Sequence, residues 1–365
     1  MWVTTAISIL AIFLAHLSQF KSKGRFFELS FILLTIVASI QYGYGTDYFT
    51  YYDLWEEQYR ELDIKDFLES FFEPKGWVEP GWMLLNAILG FNNGFFVLIA
   101  IISIVENFIY YRFIKEYVPA KWRWLSVFLY VGMDNLYLIN FSMLRQGLVV
   151  SLFVAEIMLM NKKKLLPAVV LMVFALTIHM SAVICIPFIS LYFLQLKNTR
   201  TIAVMLLFLT IIIFIFKGII IGVLNMMTSI EELSKYSNYG QKTLGGVGFG
   251  YILHHIPNVV ILYALLSEKI KTKDQKIFAF LTFCDVLITP LQFYGATLAG
   301  RLGVFFMVFR LVSVPIVYGN TKKHNDRVIL LFFLVLSTLV MYIQFFQNYN
   351  RGYGDGYKTI FSAIL

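Results

Sequence analysis

Residues 327–346, RVILLFFLVLSTLVMYIQFF, form an apolar run whose only charge is the arginine at its start. At about 1.5 Å per residue, a helix of this length covers the roughly 30 Å hydrocarbon core of a bilayer. Residues 201–224 form a similar run, and the chain of 365 residues is 59% hydrophobic and 14% charged. Soluble domains carry about 25% charged residues. The sequence therefore predicts an all-α polytopic integral membrane protein, and continuous runs of this kind exclude the alternating strands of a membrane β-barrel.

Short basic clusters between the apolar runs predict which loops are cytoplasmic, because such loops are enriched in Lys and Arg. This also accounts for the net charge of +8 without nucleic acid. An even number of spans must separate neighbouring clusters, and twelve spans satisfy this rule with the N-terminus outside. The predicted spans are residues 2–20, 27–43, 94–113, 124–140, 143–160, 165–179, 182–196, 201–224, 250–267, 277–292, 302–319 and 328–346.

The prediction is a single membrane domain, 1–365, with about 11–12 transmembrane helices, because residues 165–196 form either two short crossings or one kinked helix. Two crossings, broken near residues 179–181, preserve the charge pattern. Residues 1–20 lack a basic leader and a cleavage site, so they are interpreted as a retained span. The loops 44–93 and 225–249 are predicted to be extracytoplasmic. The first contains an amphipathic helix at 53–72 and a short apolar segment at 80–91, which is re-entrant or interfacial because about 18 Å cannot span a bilayer.

Arg145 stands at the head of an apolar run. On membrane-insertion scales, an arginine at the centre of a membrane-spanning helix costs roughly 2.5–3.5 kcal/mol, so a charge near the hydrocarbon core needs a partner or a function. Its planar guanidinium is well shaped for paired bonds to phosphate. The predicted topology places it on the outer side with Asp47, Glu79, His179 and Arg301. Charged residues within membrane proteins usually face a cavity or one another. The set therefore predicts a polar site that opens outward.

Each of these residues also has a structural interpretation. Arg145 can extend to the lipid headgroups, His179 can cap a short helix, and Asp47 can pair with a nearby arginine. Arginines over a membrane cavity suit a phosphate or pyrophosphate, whose developing charge they neutralise. An aspartate or histidine can remove a proton from a hydroxyl.

Arg310 lies within an otherwise apolar helix, so it requires a buried anionic partner. Asp285 and Glu106, both within predicted spans, are the candidates, or they mark an ion path. The pair His254-His255 is interpreted as an interfacial structural feature. The sequence contains no metal-ligand spacing such as H-x-x-x-H, so no metal is expected. The two cysteines lie in apolar runs and are expected to be small buried residues.

Four short motifs occur in order along the chain, and together they resemble the EpsG/Wzy-like family of bacterial polysaccharide polymerases. The motifs are Gly45-Thr-Asp-Tyr-x-x-Tyr51, Glu79-Pro-Gly-Trp82, Leu144-Arg-Gln146 and Ile178-His-Met-Ser-Ala182. Arg301 and Tyr357-Lys358 fit the same pattern. The family often has an arginine before the first motif, where this chain has Gln41 and Tyr42.

The resemblance implies a glycosyltransferase with a GT-C or O-antigen-ligase-like bundle that uses neither a metal nor a cofactor. Such proteins join oligosaccharide repeat units into O-antigen, capsule or exopolysaccharide on the outer face of the bacterial inner membrane. The growing glycan leaves undecaprenyl pyrophosphate and is transferred to a new lipid-linked repeat. The implied partners are undecaprenyl-pyrophosphate-linked oligosaccharide, the lipid bilayer and a chain-length regulator protein, with no nucleic acid.

The same resemblance assigns roles to individual residues. Arg145, Arg301 and Arg310 bind the pyrophosphate, and His179 and Asp47 are the candidates for the base that activates the acceptor. The sugar or acceptor contacts are assigned to Glu79, Gln146 and Tyr48. Aromatic residues near the outer face fit sugar stacking or an aromatic belt. A lipid-linked sugar flippase or other transporter is the alternative function, and it would need polar residues on both sides and an internal repeat.

Overall fold

The computed structural model describes residues 2–20, 25–61, 65, 79–133, 136–192, 199–216, 253–267, 270–288, 296–349 and 357–361. Helices dominate these residues, which confirms the predicted all-α class. Among them, Gly94–Tyr117, Leu144–Asn161 and His324–Gln347 are long and apolar enough to cross a membrane. The consecutive helices Gly300–Met307 and Arg310–Asn320, bent by 46°, add a fourth if they are one span. The total of 11–12 spans stays a prediction, and the loop 225–249 lies outside the described residues.

The chain forms two compact units, one comprising Met1–Phe193 and Tyr342–Leu365 and the other Leu194–Met341. The predicted single domain, 1–365, stays a prediction. The helices of the first unit are α1 (Trp2–Leu17), α2 (Phe26–Ser39), α3 (Thr46–Leu54), α4 (Pro80–Ile88), α5 (Gly94–Tyr117), α6 (Arg123–Gly132), α7 (Leu144–Asn161) and α8 (Leu165–Ile178). A π-helical turn, Trp55–Tyr59, continues α3, and a 3-10 helix, Met180–Tyr192, follows α8.

Small residues allow α1 and α2 to pack closely. Thr4, Ser8, Ala11 and Ala15 are the buried residues of α1, and their spacing of three and four places them on one helical face. The Ser30 hydroxyl of α2 donates to the carbonyl of Ala11 at 2.8 Å. Without a hydrophobic gain between helices in lipid, close packing and hydrogen bonds of this kind hold the pair together.

The helix α7 lies in the interior of the first unit, between α5 and α8. In the most apolar stretch of α7, 78% of the residues are buried, whereas the corresponding share is 28% in His324–Gln347. A helix that is apolar on every side is expected to be an interior one. Because the first turn of α7 carries Arg145, its interior position brings that charge into the fold.

The helix α8 ends at Ile178, and His179 has an extended backbone with φ −156° and ψ 129°. This confirms the predicted break near residues 179–181. The next predicted span, 182–196, does not begin as an α-helix, because residues 180–192 form a 3-10 helix. Pro187 within it lacks an amide hydrogen and disfavours an α-helix. Whether 165–196 crosses the membrane twice stays a prediction.

A second difference concerns the predicted span 124–140. Here α6 ends at Gly132, and a 3-10 turn at Ile139–Phe141 precedes α7. Glycine has low helix propensity, and the Asp and Asn that follow Met133 favour turns. The apolar content of this stretch therefore does not form one continuous helix. The short segment 80–91 does contain the expected short helix, α4, of nine residues. Most of the predicted amphipathic helix 53–72 lies outside the described residues.

The chain near the C-terminus returns to the end of α2. Residues Gln41–Tyr42 (β1) pair antiparallel with Lys358–Thr359 (β2), and Gln41 lies opposite Thr359. The Tyr357 hydroxyl donates to the carbonyl of Val37 at 2.8 Å. This two-stranded ladder connects the segment 357–361 to the segment that leads into α3.

The second unit contains α9 (Thr199–Ile215), α10 (Ile256–Leu266), α11 (Lys273–Ile288), α12 (Ala296–Met307), α13 (Arg310–Asn320) and most of α14 (His324–Tyr349). The helix α11 contacts α9, α10, α12 and α13. Its inward face carries Thr282, whose hydroxyl lies 2.7 Å from that of Ser313 in α13. Cys284 is buried in α11, and Cys185 is buried in the first unit; both are free thiols, as expected.

Candidate functional site

Two glycines determine how the chain enters α3. Gly43 and Gly45 have φ angles of 64° and 108°, which other residues rarely adopt. A Cβ atom on Gly45 would lie 2.2 Å from the Cβ of Ser142, so the two backbones are in direct contact. The side-chain amide nitrogen of Gln41 also donates to the backbone carbonyl of Phe141 at 3.1 Å. The first sequence motif therefore lies against the chain that leads into the third.

The second and fourth motifs meet in the same way. Pro80 begins α4, where its fixed φ suits a helix and its missing amide hydrogen costs nothing. A Cβ atom on Gly81 would lie 2.2 Å from the Thr177 hydroxyl oxygen. The start of α4 is thus packed on the end of α8. Glu79, just before α4, makes no capping hydrogen bond with its side chain, which is directed to other partners.

Those partners come from the third and fourth motifs. We call the group around Glu79 the Glu79 cluster; it comprises Glu79, Arg145, His179, Tyr51 and Trp82. Glu79 Oε2 accepts a hydrogen bond from Arg145 Nη1 at 2.6 Å. Glu79 Oε1 lies 3.1 Å from His179 Nδ1 and accepts the backbone amide of Met180, also at 3.1 Å. One carboxylate therefore connects the starts of α4 and α7 to the end of α8.

Two aromatic rings hold the guanidinium of Arg145 from the side. Its central carbon lies 5.3 Å from the ring centre of Tyr51 and 5.9 Å from that of Trp82. The Arg145 Nε hydrogen is directed to the Tyr51 hydroxyl at the long distance of 3.4 Å. Cation–π contacts at this range contribute about 0.5–2 kcal/mol each. They determine the orientation of the guanidinium, whereas Glu79 determines its position.

The electrostatics of the cluster favour an ionised Glu79. Burial by itself raises the pKa of this carboxyl, but the His179 hydrogen bond, the Arg145 charge and the Met180 amide lower it to about 2. The side chains of Arg145, His179 and Glu79 are 22%, 18% and 17% exposed. The cluster is thus shielded but open to a ligand, which a site for a charged substrate requires.

The cluster also retains groups for a ligand. Among the described residues, no hydrogen bond uses Arg145 Nη2 or His179 Nε2. A guanidinium can bind an anion through such a donor while it keeps its ion pair. An imidazole nitrogen with a lone pair can accept a proton from a hydroxyl. The arrangement therefore combines an anion-binding group with a potential base.

A sequence profile of the EpsG family matches residues 24–358, nearly the whole chain. The chain belongs to the EpsG family. This confirms the resemblance carried by the four motifs, which the fold brings together at one place. Family membership and the long apolar helices indicate a membrane protein and suggest a polysaccharide polymerase. No curated protein and no solved structure gives a significant match to the chain.

The structure places the other predicted acceptor contacts differently. Tyr48 is fully buried, with its ring against Tyr42 and Phe95, so it supports α3. Gln146 is 4% exposed and faces the interior. Asp47 lies half-buried in the first turn of α3. Its role as base, and the acceptor contacts assigned to Tyr48 and Gln146, stay predictions.

A buried polar contact lies directly behind Arg145. A Cβ atom on Gly147 would lie 2.6 Å from Glu106 Oε1 and 2.8 Å from Asn140 Oδ1. Glu106, in α5, is 3% exposed, and Asn140 is 8% exposed. Glycine at 147 thus allows α7 to approach this pair closely. This contact was not predicted from the sequence, where the glycine two residues after Arg145 is its one local signal.

The predicted partner of Arg310 is confirmed as Asp285, in the second unit of this EpsG-family chain. Arg310 Nη2 donates to Asp285 Oδ2 at 2.7 Å, and Arg310 is fully buried. The alternative partner, Glu106, is instead next to Asn140 in the first unit. Asp285 therefore accounts for one nitrogen of the buried Arg310 guanidinium, and the predicted contact of Arg310 with pyrophosphate stays a prediction. Arg301 lies half-buried in α12, and its role stays a prediction.

His254, His255 and Asp285 place potential ligand atoms within 4.8 Å of one another. The two histidines precede α10, and α10 packs on α11, which carries Asp285. The side-chain amide of Asn258 in α10 donates to Asp285 Oδ2 at 2.8 Å. However, the same oxygen accepts the Arg310 guanidinium, whose positive charge opposes a divalent cation. We therefore interpret this cluster as the surroundings of the buried ion pair between Asp285 and Arg310. The expectation that the protein works without a metal stays a prediction.

Proposed function

We propose that this EpsG-family protein polymerises oligosaccharide repeat units linked to a lipid pyrophosphate, on the outer face of the bacterial inner membrane. The observation that carries the proposal is the Glu79 cluster. It combines an arginine suited to a pyrophosphate with an imidazole suited to a hydroxyl, and four motifs of the family supply it. The donor is an undecaprenyl-pyrophosphate-linked glycan, and the acceptor is a sugar hydroxyl of a second lipid-linked repeat.

The reaction transfers a glycosyl group. The bond between the anomeric carbon of the donor and the pyrophosphate oxygen breaks, and its electron pair remains on the pyrophosphate. The acceptor oxygen forms the new glycosidic bond, and its proton goes to a base at the site. Arg145 stabilises the leaving group as its negative charge develops, and loss of one such preorganised donor typically lowers kcat by about 10²–10³-fold. No step requires a nucleotide sugar.

The test replaces Arg145 by alanine in a strain that depends on this protein for its polysaccharide. We expect long chains to disappear and single-repeat glycolipid to accumulate, while the amount of protein in the membrane stays unchanged. Arg60→Ala is the matched control, because Arg60 forms only an exposed pair with Glu56 in the same segment. A normal chain-length distribution in Arg145→Ala would contradict the site assignment.

The same experiment separates the polymerase from a flippase. Loss of a polymerase leaves lipid-linked repeats on the outer face of the inner membrane, where added glycosidases or lectins reach them in intact spheroplasts. Loss of a flippase leaves the repeats on the cytoplasmic face only, protected from those probes. Accumulation confined to the cytoplasmic face would therefore replace the proposed function with transport.

A further inference from the structure

The bonds to Glu79 determine which nitrogen of His179 carries a hydrogen. An ionised carboxylate is an acceptor only, and its pKa of about 2 keeps Glu79 ionised. The His179 nitrogen that faces Glu79 Oε1 at 3.1 Å is Nδ1. That atom must therefore be the donor. In the neutral ring the lone pair is then on Nε2, the atom that no described hydrogen bond uses.

We infer that Glu79 is a positioning residue that holds His179 in the Nδ1–H tautomer and joins it rigidly to Arg145. The inference rests on the proposed function and deepens it. His179 Nε2 then accepts the proton of the acceptor hydroxyl as the new glycosidic bond forms. Arg145 faces the pyrophosphate whose bond to the sugar breaks in the same step. The imidazolium that forms is stabilised by the Glu79 carboxylate and later releases its proton to water.

The shared carboxylate explains the need for a charged residue before α4. The carboxylate accepts three donors on its two oxygens. Because the two oxygens of Glu79 have separate partners, Oε2 for Arg145 and Oε1 for His179 with Met180, the two functional groups keep a constant separation. Transfer between two large substrates requires this constancy, since small displacements of reacting groups are costly.

Two substitutions at Glu79 separate its functions. In Glu79→Gln, the amide oxygen keeps the donors His179 and Met180, while the amide nitrogen faces the Arg145 donor and repels it. The tautomer is retained, but the charge that stabilises the imidazolium is lost. In Glu79→Ala, all three bonds are lost and the His179 ring is released. Glu56→Gln is the matched control, because Glu56 is an exposed acid in the same segment.

The experiment combines activity with nitrogen-15 NMR of protein labelled in its five histidines. His179→Gln identifies the His179 signal. We expect the Nδ1–H tautomer in wild type, Glu56→Gln and Glu79→Gln, and loss of that tautomer in Glu79→Ala. With lipid-linked repeats as substrate, we expect kcat to fall about 10²–10⁴-fold in Glu79→Ala. Glu79→Gln should lose about 10–100-fold, the effect of one charge-assisted bond.

An Nε2–H tautomer in the wild-type protein would overturn the inference, and so would wild-type kcat in Glu79→Ala. A Glu79→Gln variant as inactive as Glu79→Ala, with its tautomer intact, would likewise show that the tautomer is not the contribution of Glu79. The proposed function fails separately, if the wild-type protein does not elongate lipid-linked repeats. In that case the NMR result still reports whether Glu79 controls the imidazole.

Discussion

Glu79 has an effect that is measurable without substrate, because its ionisation is linked to folding. Its pKa lies near 2 in the folded protein, below the ordinary value of 4.5, owing to the donors from His179, Arg145 and Met180. A lowered pKa means that the carboxylate stabilises the fold fully above about pH 4.5. That stabilisation disappears as the pH falls towards 2. At about 1.4 kcal/mol per pKa unit it is at most about 3 kcal/mol.

We therefore predict that wild type and Glu79→Gln differ in a pH-dependent way. In detergent solution at pH 6–7, the variant should unfold at lower temperature than wild type. The difference should shrink steadily as the pH is lowered from 4.5 towards 3, because the unfolded wild-type chain gains a proton at Glu79 over this range while the folded protein keeps the carboxylate ionised. Thermal unfolding followed by intrinsic fluorescence measures this. A difference that does not change over that range would show that Glu79 is not ionised in the fold.

Between elements, close glycine contacts set the separation of the helices that carry the Glu79 cluster. At Gly81 the start of α4 approaches Thr177 so closely that a Cβ atom would lie 2.2 Å from the hydroxyl oxygen and 2.9 Å from the carbonyl oxygen. The carbonyl belongs to the backbone of α8 and cannot rotate away. An added methyl group must therefore move α4, and Glu79 with it, away from His179.

We accordingly predict that Gly81→Ala abolishes long-chain polysaccharide although it replaces no polar residue. The matched control is Gly300→Ala in α12, where no other part of the described structure lies within 4 Å of an added Cβ. That change should be neutral or slightly stabilising, because alanine favours a helix by about 1 kcal/mol over glycine. Polysaccharide chain length and the membrane content of both variants are measured together. Wild-type chains from Gly81→Ala would show that the contact between α4 and α8 does not position the site.

The sequence predicted the helical class, the break near residues 179–181 and a short helix within 80–91 because each depends on local chemistry: apolar content, backbone breaks and proline. It also predicted that four motifs share a site, and it named Asp285 as a partner for Arg310. The ion pair between Glu79 and Arg145 was not predicted, since residues 66 positions apart meet only through tertiary packing. For the same reason the burial of Tyr48 and Gln146 was missed. Periodicity indicates an apolar face but not what covers it.

At the scale of the whole molecule, the orientation in the membrane remains the prediction on which the outer-face site depends. The basic clusters place residues 44–93 outside, and 114–123 and 268–276 inside. Both native cysteines are buried, so new cysteines can be labelled with little background. Glu57, Lys121 and Lys271 are exposed reporters of these three loops.

We predict that a membrane-impermeant thiol reagent labels Glu57→Cys in intact spheroplasts, whereas Lys121→Cys and Lys271→Cys react only after permeabilisation. Lys271 tests the number of crossings between residues 165 and 196, because an odd number would place it outside. Labelling of Lys271→Cys in intact spheroplasts, with Lys121→Cys protected, would indicate one crossing between residues 165 and 196. Residues 225–249 would then lie on the cytoplasmic side. Glu79 and Arg145 would still face outward, since they precede that segment, whereas His179 lies within it and would move into the span. Protection of Glu57→Cys would instead reverse the cluster and exclude polymerisation on the outer face.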